Sequence, residues 1–209
     1  MDFHPGSLLG PVPERVGRLV FLNGTPSSGK TTVAKALQEE LAEPFFHHSL
    51  DELRGGYQGR YWRQDYGGVL FRRVLDGYLH MLRSLTLLGH DVISEAVITP
   101  QMLDHYLALF EGIPVLFVGI RCPLEEVERR ERGRPDRMTS APQLDEPVHT
   151  HGCYDLEVDT SVQKPADVAK LIIAALMEPP VVSAFDQLRR GKTGGQPVQA
   201  DCPRDLNAR

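Results

Sequence analysis

The chain has few of the features that mark membrane, secreted and nucleic-acid-binding proteins. Its three cysteines are an odd number without Cys-x-x-Cys spacing, so we expect reduced thiols rather than a disulfide framework or a zinc site. No apolar run is long enough to span a membrane, and the first residues lack a basic segment followed by an apolar one. Twenty-eight acidic residues outnumber 23 basic ones, which gives a net charge of −5 and no global attraction to nucleic acid or anionic lipid. These absences favour a cytoplasmic protein with neither a nucleic-acid nor a membrane partner.

Residues 24–31 match the phosphate-binding pattern G-x-x-x-x-G-K-[ST]. In such a loop the backbone amides surround a polyphosphate, Lys30 reaches the β- and γ-oxygens, and the Thr31 hydroxyl binds Mg²⁺. The apolar residues 18–23 before the loop predict a buried strand, and residues 31–41 after it predict an amphipathic helix. The context therefore predicts ATP and Mg²⁺ as cofactors. The candidate nucleotide-binding residues of this region are Gly24, Thr25, Pro26, Ser27, Ser28, Gly29, Lys30, Thr31 and Thr32.

Strand and helix patterns alternate through residues 18–178, the predicted single domain. The further strands are predicted at residues 45–48, 91–95, 114–121 and 154–158, and the helices at 65–88, 101–110, 123–132 and 165–177. This alternation predicts a parallel sheet between layers of helices, with ligands at the carboxyl ends of the strands. Residues 1–17 are predicted to be a flexible lead-in and residues 179–209 a largely disordered tail, in which residues 181–188 could form one short helix.

Two acidic residues follow predicted strands and are candidates for phosphoryl-transfer chemistry. Asp51 lies where a carboxylate facing the γ-phosphate could accept a proton from a substrate hydroxyl. On spacing alone it could equally charge the first turn of a helix that has Ser49 as N-cap and Glu52 three residues later. Glu95 ends the third strand, where an acidic residue commonly holds a metal or its water. The alternative for Glu95 is a strand-end residue that faces solvent.

Arginines are concentrated between residues 129 and 137. Arg129 and Arg132 are typical of a solvated helix face, whereas Arg130 is assigned to the nucleotide. Arg134 and Arg137 lie where Gly133 and Pro135 break the helix. A loop that carries guanidinium groups there is typical of a lid that closes on a triphosphate and excludes water.

Several segments in order along the chain resemble the chloramphenicol 3-O-phosphotransferase family of P-loop small-molecule kinases. They are residues 21–31, 41–46, 49–51, 115–122, 130–137, 148–149 and 154–160. The segments Val-Gly-Ile-Arg-Cys and Tyr-Asp-Leu-Glu-Val-Asp-Thr are more distinctive than the phosphate loop, which many unrelated enzymes share. The resemblance covers roughly residues 18–177.

The resemblance implies a three-layer, adenylate kinase-like α/β fold: a five-stranded parallel sheet of order 2-3-1-4-5 with a short lid at about residues 130–142. It also implies that Asp51 is the base toward the acceptor hydroxyl and that Lys30 and Thr31 contact phosphate and Mg²⁺. Arg134 and Arg137 are implied to lie near the transferred phosphate. The chain departs from the family pattern at Glu95-Ala96, where the better-known member has two aspartates, and at Pro135, where glycine is usual.

Residues 55–65 are aromatic and basic and join Asp51 to the next long helix. We expect this segment to line the acceptor pocket, where aromatic rings could stack on a ring or sugar. Equally, these residues could close a loop over the core. The candidate substrate-binding residues are Asp51, Tyr57, Tyr61, Trp62 and Tyr66.

The resulting hypothesis is an ATP-dependent O-phosphotransferase that acts on a hydroxyl group of a small natural product or antibiotic. A kinase of primary metabolism, acting on a sugar acid or nucleoside, is one alternative, and a nucleotide-binding regulatory module is another. The identity of the acceptor and the oligomeric state, homo-oligomer included, stay open. His47, His48, His149 and His151 form two pairs distant in sequence, which favours satisfied or exposed side chains over a metal site.

Overall fold

The computed structural model describes residues 15–64, 68–133 and 148–193, without the side chains of residues 62–64, 192 and 193. The strands are β1 Leu19–Asn23, β2 Phe45–Ser49, β3 Asp91–Ala96, β4 Val115–Arg121 and β5 Leu156–Asp159. They form a five-stranded sheet of order β2-β3-β1-β4-β5, and every neighbouring pair is parallel. The predicted α/β architecture and strand order are therefore confirmed.

The helices cover both faces of this sheet. They are α1 Lys30–Glu40, α2 Leu50–Arg54, α3 Gly59–Gln64, α4 Val69–Leu87, α5 Pro100–Leu109, α6 Leu124–Arg132, α7 Pro165–Met177 and α8 Ala184–Thr193. Alternate side chains of β1 pack on opposite faces of the sheet, because successive side chains of a strand point in opposite directions. Phe21 packs with α4, α5 and α8 on what we call the α4 face. Leu22 packs with α1 and α7 on the α1 face.

Both faces are apolar at β1 because the strand lies in the middle of the sheet. Its five residues are all buried, which is typical of a parallel strand covered by helices on both sides. Asn23, the last of them, is paired in register with Ala96 on one side and Gly119 on the other. The carboxyl ends of three central strands therefore meet next to the phosphate loop, as expected for a ligand site in this architecture.

The folded region extends beyond the predicted boundary at residue 178. Helix α8 lies within the segment predicted to be largely disordered, and its Phe185 is only 1% exposed. The Phe185 ring stacks on Phe21 and meets Phe117 edge-on, with ring centroids 6.2 and 5.1 Å apart. The short helix considered at residues 181–188 therefore exists, but it begins at Ala184 and is longer. The remainder of the predicted tail lies outside the described residues.

The last residues of the predicted lead-in contact the domain through a hydrogen bond and an ion pair. Gly17 donates its amide proton to the Thr86 carbonyl at 2.8 Å, and Arg15 forms a two-pronged ion pair with the buried Asp91. The structure thus places residues 15–17 against the sheet, while residues 1–14 lie outside the description.

Two cysteines lie within the described residues. Cys122 is a free, buried thiol, and Cys153 is also buried, with its Sγ 3.8 Å from Gln187 Oε1. Separately, none of the helices within the described ranges is long and apolar enough to cross a membrane.

Candidate active site

The loop at residues 24–29 connects β1 to α1 and has a backbone that few other sequences could adopt. Gly29 has a φ of 98° and Ser27 a φ of 62°, in the left-handed region that glycine adopts without strain. A Cβ atom on Gly24 would lie 2.5 Å from the Ile120 carbonyl oxygen, so a side chain cannot fit there. The loop ends at the first turn of α1, whose unpaired backbone amides and dipole favour an anion.

Lys30 is a charged residue held almost completely inside this loop. Its side chain is buried, and Nζ donates hydrogen bonds to the carbonyl oxygens of Gly24 and Thr25 at 2.8 and 2.7 Å. Because the carbonyl groups belong to the loop itself, the ammonium group is fixed beside the loop amides. The combination of amides and one buried cation is suited to polyphosphate.

Thr31 and Glu95 lie in direct contact at the end of β3. Thr31 Oγ1 donates to Glu95 Oε2 at 2.7 Å, and His47 Nε2 lies 3.0 Å from Glu95 Oε1. Burial alone would raise the pKa of Glu95, but hydrogen bonds from His47 and Thr31 and the charge of Lys30 outweigh it and hold the pKa below its usual value. The pair thus offers an ionised carboxylate and a hydroxyl, the oxygen ligands that fit Mg²⁺.

Glu95 is therefore not the solvent-facing strand end that was its alternative reading, since its side chain is only 9% exposed. Within the described ranges, no three or more His, Cys, Asp or Glu side chains form a metal cluster of their own. A magnesium ion here would depend on phosphate oxygens and water for its other ligands, as is usual for this ion.

Asp51 lies in the first turn of α2, directly after β2. The capping box is made by its neighbours: Ser49 Oγ accepts the Glu52 amide at 3.3 Å, and Glu52 Oε2 accepts the Ser49 amide at 2.8 Å. Asp51 takes no part in this box. Its side chain is 48% exposed, and Oδ1 lies 3.2 Å from Arg54 Nη1.

Arg130 of α6 lies against the phosphate loop. It donates to the Thr160 side chain and carbonyl at 3.2 and 2.8 Å, and Thr160 Oγ1 donates to the Ser28 carbonyl at 2.6 Å. A Cβ on Gly29 would lie 3.4 Å from Arg130 Nη1. The structure thus brings Arg130 and the nucleotide loop together.

The predicted acceptor-side aromatic residues are only partly described. Tyr57 precedes α3 and Tyr61 belongs to it, and their side chains are 45% and 48% exposed. Neither ring therefore closes a loop over the core. The Arg60 guanidinium lies 4.9 Å from the centre of the Tyr61 ring. The Trp62 side chain, Tyr66, Arg134, Arg137 and the lid beyond residue 133 lie outside the described residues.

A second polar cluster at this end of the sheet was not predicted from the sequence. Asn23 Oδ1 accepts the Ile98 amide at 2.8 Å, and Asn23 Nδ2 donates to the Tyr154 hydroxyl at 2.9 Å. His149 Nδ1 lies 2.6 Å from the same hydroxyl. The family-like segments at 148–149 and 154–160 were the available signal, but their contact with Asn23 spans more than 120 residues of chain.

A glycine loop after the central strand of a 2-3-1-4-5 parallel sheet, with a buried lysine and a Thr–Glu pair, defines the class of P-loop kinases. Solved kinases share the fold. The Mycobacterium tuberculosis APS kinase CysC, in complex with AMPPNP and APS, has a TM-score of 0.63 at 22% identity and covers 78% of this chain and 99% of its own. Shikimate kinase from Acinetobacter baumannii has a TM-score of 0.56 at 18% identity, over 80% and 96%.

The model of the family described as "Chloramphenicol phosphotransferase-like protein" matches residues 17–177, and the chain belongs to this family. A Mycobacterium tuberculosis protein named "Putative O-phosphotransferase Rv2636" is 28% identical over 199 residues, which cover 83% of this chain and 88% of that protein. The protein is thus a P-loop phosphotransferase.

Proposed function

We propose that the protein is an ATP-dependent O-phosphotransferase that transfers the γ-phosphoryl group to a hydroxyl of a small natural product or antibiotic. The observation that carries this proposal is the pairing of a complete phosphate loop with an exposed Asp51 carboxylate at the end of the strand beside β3. Nucleotide binding alone would not require that carboxylate. We place the reaction in the cytoplasm, where ATP and Mg²⁺ are available.

In the proposed reaction, the loop amides and Lys30 hold the β- and γ-phosphates. Thr31 and Glu95 would hold Mg²⁺, which would supply positive charge to offset the negative charge that develops during transfer. Asp51 accepts the proton of the acceptor hydroxyl while the hydroxyl oxygen forms a bond to the γ-phosphorus. The bond from that phosphorus to the β–γ bridging oxygen breaks, and ADP leaves.

Two further groups complete the proposal. Arg134 and Arg137 stabilise the phosphoryl group in transfer, and Arg130 contacts the nucleotide. Tyr57, Tyr61, Trp62 and Tyr66 form the aromatic side of the acceptor pocket. Most of the catalytic effect then comes from alignment and electrostatic stabilisation rather than from covalent chemistry on the protein.

Replacement of Asp51 by asparagine tests the assigned base. Asp51→Asn should retain ATP binding and lower kcat by about 100-fold or more, because a general base contributes about 10²- to 10⁴-fold. The matched control is Asp167→Asn, which also removes an exposed carboxylate from the first turn of a helix, α7. The measurements are nucleotide affinity by calorimetry and phosphate transfer by mass spectrometry. Equal turnover in the two variants would exclude Asp51 as the base.

The acceptor class is tested with a panel of chloramphenicol, nucleoside antibiotics, aminoglycosides and sugar acids. The expected result is a mass gain of one phosphate group on a member of the antibiotic set. Phosphorylation of sugar acids alone would support a kinase of primary metabolism instead. Tight ATP binding without transfer to any compound would support a regulatory module.

A further inference from the structure

The polar cluster behind the phosphate loop fixes the orientation of each of its members. The Ile98 backbone amide can only donate, so the Asn23 atom that lies 2.8 Å from it is the carbonyl oxygen Oδ1. The Asn23 amide nitrogen therefore faces the other way. It donates to the Tyr154 hydroxyl at 2.9 Å and to the Val148 carbonyl at 3.2 Å.

The hydrogen bond from Asn23 determines the direction in which the Tyr154 hydroxyl donates, and thereby the tautomer of His149. The Tyr154 hydroxyl accepts a hydrogen bond from Asn23, and burial raises the pKa of Tyr154, so the phenol keeps its own proton. Among the contacts described for Tyr154, that proton can go to His149 Nδ1 at 2.6 Å or to the Val148 carbonyl at 3.4 Å, which already accepts from Asn23. The shorter contact is the favoured one. Nδ1 of His149 is thus an acceptor and carries no proton.

His149 is therefore a neutral imidazole with its proton on Nε2. Burial lowers the pKa of His149 to about 3, and the charges of Arg121, His151 and Lys30 act in the same direction. The side chain is only partly buried. Within the described ranges, Nε2 has no hydrogen-bond partner. A fixed N–H donor is thus available at this atom.

The cluster lies on the acceptor side of the sheet. Tyr154 belongs to the core of the α4 face, and α2, which carries Asp51, packs on that face through Leu50 and Leu53. Helix α1, which carries Thr31, packs on the opposite face. Asn23 directly precedes the phosphate loop, and it is linked to His149 through the Tyr154 hydroxyl, at 2.9 and 2.6 Å. His149 therefore lies two hydrogen bonds from the residue that precedes the loop.

We propose that His149 is an acceptor-positioning residue, whose Nε2–H donates a hydrogen bond to an oxygen atom of the hydroxylated substrate. The ligand class is a molecule with a second accepting oxygen (hydroxyl, carbonyl or carboxylate) near the hydroxyl that is phosphorylated. Lys30, Thr31 and the loop amides serve the nucleotide phosphates, which leaves a donor on the α4 face for the acceptor. This inference rests on the proposed function, because it assumes that the acceptor meets the nucleotide at Asp51.

The tautomer is tested first, by NMR of protein with ¹⁵N-labelled histidine. The His149 signals, assigned by their loss in His149→Gln, should show an unprotonated Nδ1 and a protonated Nε2 at pH 7 and down to pH 5. Tyr154→Phe should abolish this preference, whereas the exposed His80→Gln should leave it intact. A proton on Nδ1 in the wild type would overturn the proposal. This test needs no acceptor and is independent of the proposed function.

The positioning role is tested by kinetics with whichever compound of the panel is phosphorylated. His149→Ala should raise the acceptor KM by about tenfold, typical of one lost hydrogen bond in a closed site, with the KM for ATP unchanged. His149→Gln, which keeps a terminal N–H donor, should recover most of that loss, and His80→Gln serves as the surface control. An unchanged acceptor KM, or a loss that glutamine does not rescue, would contradict the proposal. Failure of the proposed function would instead appear as no transfer by the wild type while AMPPNP still binds.

Discussion

Glu95 joins three parts of the molecule that are far apart in sequence. One carboxylate oxygen accepts from Thr31 on α1, and the other faces His47 on β2. The fold thereby provides an ionised carboxylate in a position that is only 9% exposed. A buried charge of this kind is costly unless it has partners, and here the partners come from the neighbouring strand and from the helix after the phosphate loop.

Glu95→Gln removes the charge of this site while keeping its shape. We expect the Mg²⁺ concentration for half-maximal activity to rise about ten- to hundredfold, the usual effect of losing a group that orients or holds a metal. Glu39→Gln, at an exposed position of α1, is the matched control. A magnesium titration of phosphate transfer is the measurement. If both variants needed the same Mg²⁺ concentration as the wild type, Glu95 would have no part in metal binding.

Helix α8 is attached to the sheet through a buried carboxylate. Asp155 accepts the Phe117 amide through Oδ2 at 2.7 Å and the Ala184 amide, at the start of α8, through Oδ1 at 2.6 Å. Burial raises the pKa of Asp155 to about 6, although these two amides act in the opposite direction. The attachment of α8 is therefore coupled to a proton.

The stability of the protein should depend on pH through this group. The folded pKa of Asp155 is about 6 against an ordinary value of 3.8, so the folded state binds the proton more tightly than the unfolded state. Its stabilising contribution is complete below pH 3.8 and is lost as the pH rises through 6, at about 1.4 kcal/mol per pH unit. Asp155→Asn lacks this dependence. Urea unfolding from pH 4 to 7 should show the wild type losing roughly 2 to 3 kcal/mol relative to Asp155→Asn, and parallel pH profiles would contradict the assignment.

Helices α7 and α8 show where prediction from the sequence succeeds and where it fails. Helix α7 has the predicted bounds, because Pro165 suits the first turn of a helix and the apolar residues follow its period. Helix α8 was underestimated because its segment is mostly polar. It is held by Asp155 and by contacts of Phe185 with Phe21 and Phe117, and such distant partners leave no local pattern.

The candidate site likewise contains residues that the sequence predicted and contacts that it could not predict. The phosphate loop was identified because its ligand-binding groups are consecutive in sequence. The Glu95 position could be inferred from the end of its strand, but its contact with His47 could not. His149 was interpreted as a satisfied or exposed histidine, since its relation to Asn23 exists only in the folded chain.

The whole molecule should become more stable when nucleotide is bound. A ligand at 100 times its Kd stabilises the folded state by about 2.7 kcal/mol, which for a protein of this size raises Tm by roughly 5 to 10 °C. AMPPNP with Mg²⁺ should produce this shift in the wild type, and Lys30→Ala should reduce it strongly. Lys35→Ala, an exposed lysine on the same helix, is the control. Equal shifts in all three proteins, measured by calorimetry, would argue against the phosphate loop as the nucleotide site.

Gly119 in β4 lies against Tyr154 of the polar cluster behind the phosphate loop. A Cβ atom at this position would approach the Tyr154 ring to 2.7 Å, closer than real Cβ contacts allow. A homologue with a larger residue at 119 must therefore either move the ring or lose it, and with the ring it would lose the hydroxyl shared by Asn23 and His149. We accordingly expect positions 119 and 154 to covary among relatives: glycine where an aromatic phenol is retained, and a larger residue only where that phenol has been replaced.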